Sequence, residues 1–258
     1  MKRVAILMYH QVEVARPAGR FVCHAATFAR QMAWLRASGV ALVSVADVAR
    51  AARGEADIAA GAVAVSFDDG YAGVIEAALP ALERHAIPAT LFAVAGRLGG
   101  RDDWQGGGAA LLDASGLRAL QARGVEIGSH ALSHVRLSGL GDAALEAELQ
   151  HSRARLAEVL GRPVELLAYP YGDCDARVIA QARAVGYLGA CSTRSGFNVD
   201  GVDPFALRRI DIDGRDGLHT FRRKVMFGTN RWTMRDEARY FGSRLWLRLS
   251  GRRQGGKR

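Results

Sequence analysis

The sequence has no long apolar segment. Its most apolar runs end after about eight residues, whereas a membrane-spanning helix needs roughly 20. Residues 1–10 carry the early charges Lys2 and Arg3, but their apolar run is short and no small-residue cleavage site follows it. We therefore interpret residues 1–10 as a first strand and not as a signal peptide, and we do not expect an integral membrane protein.

Cysteine is also scarce. The three cysteines, Cys23, Cys174 and Cys191, are odd in number and form no CxxC pair, which argues against a disulfide framework. Such usage is typical of a reducing compartment, so we expect a cytoplasmic protein. Glycine clusters within residues 99–109, but without the spacing of a phosphate-binding loop. That segment predicts a flexible loop.

Negative charge is nearly absent from the C-terminal end. Residues 222–258 contain twelve Lys and Arg against only Asp236 and Glu237, a net charge of +10, while residues 1–221 carry −1. We therefore divide the chain into a domain over residues 1–221 and a basic, aromatic-containing tail over residues 222–258. One predicted helical face of the tail holds Ala238, Phe241, Leu245 and Leu249.

The basic tail has two leading interpretations. It docks on an anionic membrane surface, as clustered arginines beside aromatic residues indicate, or it packs as a helix on the domain and ends in a disordered basic segment. The first interpretation places the protein at the membrane surface. No recognisable nucleic-acid reader fold is present, so we expect no nucleic-acid partner.

Short β-branched apolar runs alternate with longer segments of helical period, a pattern typical of βα units on a parallel sheet. The predicted strands are residues 4–9, 62–67, 90–95, 125–128, 165–169, 187–192 and 207–212. The predicted helices are residues 25–38, 45–53, 73–85, 112–123, 141–161 and 173–185. This order predicts a closed or nearly closed α/β barrel. In such barrels the active-site residues lie at the carboxyl ends of the strands.

Two adjacent carboxylates end one of these strands. Residues 62–67 form a buried-type strand, and Asp68 and Asp69 follow it directly. Neighbouring carboxylates repel each other unless a cation or a shared proton compensates. The alternative is a polar loop that caps the next helix, and for an isolated Asp-Asp-Gly that alternative is the commoner one.

Two histidines follow another strand. His130 and His134 come after residues 125–128, and the i, i+4 spacing would place both imidazoles on one face of a helical turn, within reach of one cation. Chance surface pairs have the same spacing, but this pair and the two aspartates both follow strand ends. One carboxylate with two imidazoles leaves an open coordination position, as in catalytic zinc sites. The second aspartate is then available as a general base.

A third segment, residues 169–172 (YPYG), also ends a strand. Pro170 fixes the backbone and Gly172 permits a tight turn, so the Tyr171 amide is a candidate oxyanion donor and its ring a candidate wall. A plain Pro-Gly turn explains the segment equally well.

Together these motifs resemble those of the polysaccharide deacetylases, also called NodB-homology domains or carbohydrate esterase family four. The resemblance spans residues 3–213 and rests on residues 66–70 (SFDDG), 130–134, 169–172 and an opening MYH at 8–10. It implies a distorted (β/α) barrel that hydrolyses N-acetyl groups on amino sugars.

The resemblance also implies roles for single residues. Asp68 would be the general base, Asp69, His130 and His134 the metal ligands, and the Tyr171 amide part of the oxyanion hole.

The chain departs from the family pattern in two places. Many members carry an arginine just before the third motif that pairs with the catalytic base, but here Ala168 and Tyr169 stand there; an arginine within residues 208–213 is the remaining candidate partner of Asp68. The late Leu-x-His motif that supplies the general acid is not evident. His219, which opens a helix-like segment, and His10, which ends the first strand, are the two candidate acids.

The sequence therefore predicts a metal-dependent hydrolase that removes N-acetyl groups from an amino-sugar polysaccharide or glycolipid. One divalent cation is expected, zinc first, although Co²⁺, Ni²⁺ and Mn²⁺ suit the same ligands. Two alternatives stay open: a carbohydrate esterase acting on O-acetyl groups, and a non-catalytic carbohydrate-binding assembly protein that retains the barrel.

Overall fold

The computed structural model describes residues 3–15, 18–104 and 107–230. The strands are β1 (Ala5–Tyr9), β2 (Gln11–Glu13), β3 (Val22–His24), β4 (Leu42–Val43), β5 (Val63–Phe67), β6 (Ala89–Ala93), β7 (Glu126–Ser129), β8 (Leu166–Ala168), β9 (Gly189–Cys191) and β10 (Ile210–Asp211). The helices are α1 (Ala25–Ala37), α2 (Val45–Ala52), α3 (Leu79–Arg84), α4 (Ala114–Ala122), α5 (Asp142–Leu160), α6 (Ala176–Ala184) and α7 (Leu218–Phe227). Within these ranges no helix is long and apolar enough to cross a membrane.

The main sheet is entirely parallel, in the order β10-β1-β5-β6-β7-β8-β9, with β4 paired to the start of β5. The segment around β10 joins the two edges of this sheet. Its Leu207 forms a parallel bridge with Cys191 at the end of β9, while Ile210 pairs with Leu7 of β1. The sheet is thereby curled into the distorted (β/α) barrel that the family resemblance implies.

Both faces of the strands are buried, which explains their nearly continuous apolar sequences. All five residues of β1, β5 and β6 are buried. Inside the barrel, Phe92 fills the space beside Gly128, where a Cβ atom would approach the ring to 2.6 Å. Helix α2 packs Val45 and Val48 into the same inner cluster. The interior is therefore a packed core, and a cavity opens at the carboxyl ends of the strands.

The seven strands and six helical segments predicted from sequence are confirmed to within a few residues, although residues 74–78 begin the third segment as a π-helix. Strands β2, β3 and β4 have only two or three residues each and give no alternating pattern, so the sequence did not predict them.

Helix α7 runs across the domain boundary predicted at residues 221 and 222. Its Phe221 is fully buried, with the ring centroid 5.8 Å from that of Trp34 of α1. The predicted helical face over residues 238–249 lies outside the described residues.

Candidate functional site

The carboxyl ends of the strands surround a cavity of about 300 Å³, which we call the mouth. Six of the seven candidate site residues line it, and the one that does not is His219. The lining residues are Met8, His10, Arg20, Phe21, Asp68, Asp69, His130, His134, Arg136, Tyr171, Thr193 and Asp211.

The two adjacent aspartates face different partners because the backbone turns sharply between them. Asp68 continues strand β5, and its N–H donates to the carbonyl of Tyr9 at 2.9 Å. Asp69 has a left-handed backbone, with φ of 72°, and Gly70 follows with φ of 79°. Such a conformation is costly for a residue with a Cβ atom and clusters at functional sites.

The histidine segment is not the helical turn that its spacing predicted. Residues 130–136 are irregular, and Ala131 and His134 both have φ of 61°, which no α-helix accommodates. Glu148 of α5 holds this loop by accepting the backbone N–H groups of Leu132 and Ser133 at 2.9 and 3.0 Å. The two imidazoles meet because of this loop and not because of helical periodicity.

The side chains of Asp69, His130 and His134 converge on one point. Asp69 Oδ1 lies 3.3 Å from His130 Nε2 and 3.2 Å from His134 Nε2. Both carboxylate oxygens of Asp69 are buried without a hydrogen-bond partner in the described structure. Buried unpaired oxygens beside two imidazole nitrogens are the donor set of a divalent cation, so these residues fit the predicted metal ion.

Surrounding groups orient both imidazoles. His130 Nδ1 lies 2.7 Å from the carbonyl oxygen of Ala168; as donor there, it leaves Nε2 free to act as a ligand. The His134 ring stacks on Trp104 at 4.1 Å and lies 4.7 Å from the Tyr171 ring. Burial is the main cause of the lowered pKa of His134, which favours the neutral form that binds metal.

Asp68 pairs with Arg209, the arginine that the sequence left unassigned within residues 208–213. Arg209 is fully buried, and its two terminal nitrogens donate to the two Asp68 carboxylate oxygens at 2.6 and 2.8 Å. Burial raises the pKa of the Asp68 carboxyl, but Arg209 and then His130 outweigh burial and leave that pKa lowered. Asp68 is therefore an oriented, ionised carboxylate. Arg208 points elsewhere and donates to the Ser195 carbonyl.

Another side of the mouth is formed by residues at the first and last strands of the sheet, β1 and β10, and by the loop before β3. His10 follows β1, is buried, and has a ring centroid 4.8 Å from that of Phe21; its Nδ1 has no partner in the described structure. Asp211 of β10 is also buried, with Oδ2 accepting from Arg20 at 2.5 Å and Oδ1 unpartnered among these residues. We call His10, Arg20, Phe21 and Asp211 the far wall.

The two remaining candidates, Tyr171 and His219, lie in different environments. Tyr171 lies at the mouth in a 3₁₀ turn, Pro170–Gly172, with φ of 59°, and its ring is 45% exposed. Tyr171 thus lines the mouth, and its role as a wall for the substrate stays a prediction. His219 is exposed on α7 and accepts a hydrogen bond from Arg223 at 3.1 Å, away from the cavity lining.

Sequence reasoning missed Trp104 and the far-wall residues Arg20 and Asp211. Trp104 lies in the glycine-rich segment interpreted as a flexible loop, but Asp102 holds that loop by accepting from Tyr71 Oη at 2.9 Å and from the Ala109 N–H at 2.7 Å. A lone tryptophan between aspartates and glycines was the available signal. Arg20 and Asp211 gave none, because only the folded barrel brings them together.

Comparisons with known proteins agree with this geometry. The polysaccharide deacetylase family profile matches residues 56–190, more than half of the chain. YxkH of Bacillus subtilis (strain 168) is 22% identical over 214 residues, covering 81% of this chain and 71% of that protein.

Two solved structures share the fold. The Streptococcus pyogenes deacetylase PplD, solved in complex with acetate, is 22% identical and superposes with a TM-score of 0.77 over 86% of this chain and 98% of its own. IcaB from Ammonifex degensii is 24% identical, with a TM-score of 0.75 over 87% and 97%. The profile match, with the motifs assembled at one mouth, shows that this chain belongs to the polysaccharide deacetylase family.

Proposed function

We propose that the protein removes N-acetyl groups from an amino sugar of a polysaccharide or glycolipid, and that it uses one divalent cation to do so. The observation that carries this proposal is the convergence of Asp69, His130 and His134 beside an arginine-paired Asp68 in one mouth. A ligand triad with an adjacent ionised carboxylate is the minimum that metal-assisted hydrolysis of an amide requires.

Zinc is our first choice for the cation. Two imidazoles and one carboxylate suit Zn²⁺, while Co²⁺, Ni²⁺ and Mn²⁺ accept the same donors. When bound, the cation lowers the pKa of a water molecule and polarises the acetyl carbonyl.

The residues of the chain perform the proton transfers. Asp68, held by Arg209, accepts the proton of the water that attacks the carbonyl carbon. We assign the Tyr171 N–H as the donor that stabilises the oxyanion, because Tyr171 lines the mouth. The C–N bond then breaks as His10, acting as the general acid, gives a proton to the nitrogen, and the products are acetate and a free amine. An amine is a poor leaving group unless its nitrogen receives this proton. A general acid on the far wall therefore favours an N-acetyl substrate.

His10 is preferred to His219 as the acid because of position. His10 faces the mouth and interacts electrostatically with both Asp68 and Asp69, whereas His219 is exposed outside it.

Acetate release tests the proposal directly. We would incubate the metal-loaded protein with N-acetylated and O-acetylated glucosamine oligomers and quantify acetate. We expect release from the N-acetyl substrate, a loss of about 10²–10⁴-fold in Asp68→Asn with its metal content unchanged, and wild-type rates in the exposed control Asp142→Asn.

The same assay separates the alternatives. Release from the O-acetyl substrate alone identifies a carbohydrate esterase. Binding of metal and sugar without acetate release from either substrate identifies a non-catalytic carbohydrate-binding protein.

A further inference from the structure

The chain returns to the mouth after helix α7. The buried Lys224 fixes this helix, because its Nζ donates to the Asp211 carbonyl at 2.9 Å and to Asp216 Oδ2 at 2.5 Å. The helix ends at Gly228 in a left-handed conformation, with φ of 65°. The last described residues are therefore anchored next to β10.

Asn230 links β10 to the loop after β9 through two hydrogen bonds. Its Oδ1 accepts the Asp211 N–H at 2.8 Å, and its own N–H donates to Ser195 Oγ at 3.0 Å. Asp211 lines the mouth. The last described residue, Asn230, therefore lies beside the mouth, at the carboxyl end of the barrel.

The residues that start there are strongly basic. Residues 231–258 contain nine Lys and Arg against two acidic residues, a net charge of +7. Four aromatic residues are interleaved: Trp232, Tyr240, Phe241 and Trp246. Basic residues near an anionic lipid surface contribute about 1 kcal/mol each, and tryptophan and tyrosine favour the membrane interface.

The rim of the mouth also carries exposed arginines beside aromatic rings. The Arg20 side chain is 52% exposed and lies over the Phe21 ring at 5.2 Å. Arg136 is exposed and lies over the Tyr171 ring at 4.6 Å. Cations and an exposed aromatic ring therefore lie at the end of the barrel from which the basic segment starts.

We propose that residues 231–258 dock the protein on an anionic phospholipid membrane with the mouth facing the lipid, so that the acetylated sugar it hydrolyses is carried on a membrane-embedded lipid. The substrate part rests on the proposed deacetylase function, whereas the docking part does not. Because the body is neutral and the basic segment follows directly after Asn230 beside the mouth, docking through that segment would bring the active site within reach of a lipid-linked sugar.

Vesicle sedimentation tests the docking. The full chain is mixed with phosphatidylcholine vesicles with or without phosphatidylglycerol. We expect binding only with phosphatidylglycerol, and at least about tenfold weaker binding for Arg248→Glu/Arg252→Glu. The matched control Arg155→Glu/Arg162→Glu reverses two exposed charges on α5 and the turn after it, and should bind as wild type. Equal losses in both variants, or no preference for phosphatidylglycerol, overturn the docking; stronger capture by nucleic acid than by vesicles does the same.

Hydroxyl-radical footprinting tests the orientation. Phosphatidylglycerol vesicles should lower oxidation of the exposed Tyr171 at the mouth at least about twofold. The vesicles should not change the oxidation of His85, which precedes β6 at the amino end of the barrel. Protection of His85 without Tyr171 would overturn the mouth-facing orientation.

Acetate release tests the substrate. The same acetylated glucosamine is supplied either as a soluble oligomer or on a lipid carrier in phosphatidylglycerol vesicles. Arg248→Glu/Arg252→Glu should lower only the lipid-borne rate, about tenfold. Equal loss on both substrates overturns the lipid-borne substrate. If neither the soluble nor the lipid-borne substrate releases acetate, the proposed deacetylase function is overturned, and the lipid-borne substrate with it. The docking is then still decided by sedimentation and footprinting.

Discussion

The two sides of the mouth are built differently. The metal side takes Asp69, His130 and His134 from two short segments that follow β5 and β7, and Ala168 and Trp104 contact the two imidazoles. The far wall takes His10 from the first strand and Asp211 from the last, and both carry a buried polar atom without a partner in the described structure. The metal side also has unpartnered buried atoms, but its Asp69 oxygens face two imidazole nitrogens and suit a cation, whereas those of the far wall are available to a substrate.

This difference assigns separate roles to the two sides. Substitutions on the metal side should remove metal and activity together. Substitutions on the far wall should lower turnover and leave the metal in place. Each prediction below tests that separation, beginning with the largest effect.

We expect His130→Ala to lose metal and activity together. Changing a residue that merely orients a ligand costs about 10–100-fold in metal affinity, so loss of the ligand itself should exceed about 100-fold. Elemental analysis after dialysis, beside acetate release, makes the measurement, with the exposed His151→Ala as control. Retention of full metal content would remove the basis of the metal side.

His10→Ala should lower the turnover number by about 10²–10⁴-fold with unchanged metal content, because it removes the acid that protonates the leaving amine. His219→Ala should change the rate by less than about twofold, since His219 lies outside the mouth. The opposite ranking of these two variants would return the role of acid to His219.

Arg209→Met should destabilise the fold by about 3–5 kcal/mol, because it leaves the Asp68 carboxylate buried without its cation. The neighbouring Arg208→Met is exposed and should cost less than about 0.5 kcal/mol. Urea unfolding of both variants makes the comparison. Recovery of stability in Asp68→Asn/Arg209→Met would attribute the loss to the unpaired charge and not to lost packing.

The smallest effect concerns the thiols. Burial raises the pKa of Cys23 and of Cys191 to about 12, so native protein at pH 8 should react with iodoacetamide about a thousandfold more slowly at these positions than an ordinary thiol. Cys174 is less buried and should be alkylated first. Peptide mass spectrometry of the time course identifies the order, and early alkylation of Cys191 would contradict its burial beside the barrel interior.

The histidine segment shows that predicted side chains can converge although the predicted local structure is wrong. Spacing predicted a helical turn, yet positive φ values at Ala131 and His134 and the Glu148 contacts produce an irregular loop that achieves the same convergence. Nothing in a single sequence specifies a left-handed alanine. The cytoplasmic location and the absence of a nucleic-acid partner stay predictions.

The pairing of Asp68 shows what strand alternation adds. Arg208 and Arg209 are indistinguishable as residue types, but Leu207 points into the barrel, so the residue two positions later does as well. That alternation places Arg209 inside and Arg208 outside, but only the structure shows that Leu207 faces inward.

By itself, the sequence determined the parallel strands, the helices between them and the candidate ligands, because local hydrophobic period and strand-end motifs are properties of neighbouring residues. Only the tertiary structure decided which arginine holds Asp68, which histidine faces the mouth, and where the basic segment starts. These outcomes depend on how the barrel closes through β10, which brings residues about 200 positions apart into contact, as in the Arg20–Asp211 ion pair. Such contacts follow from strand register, which the sequence does not display.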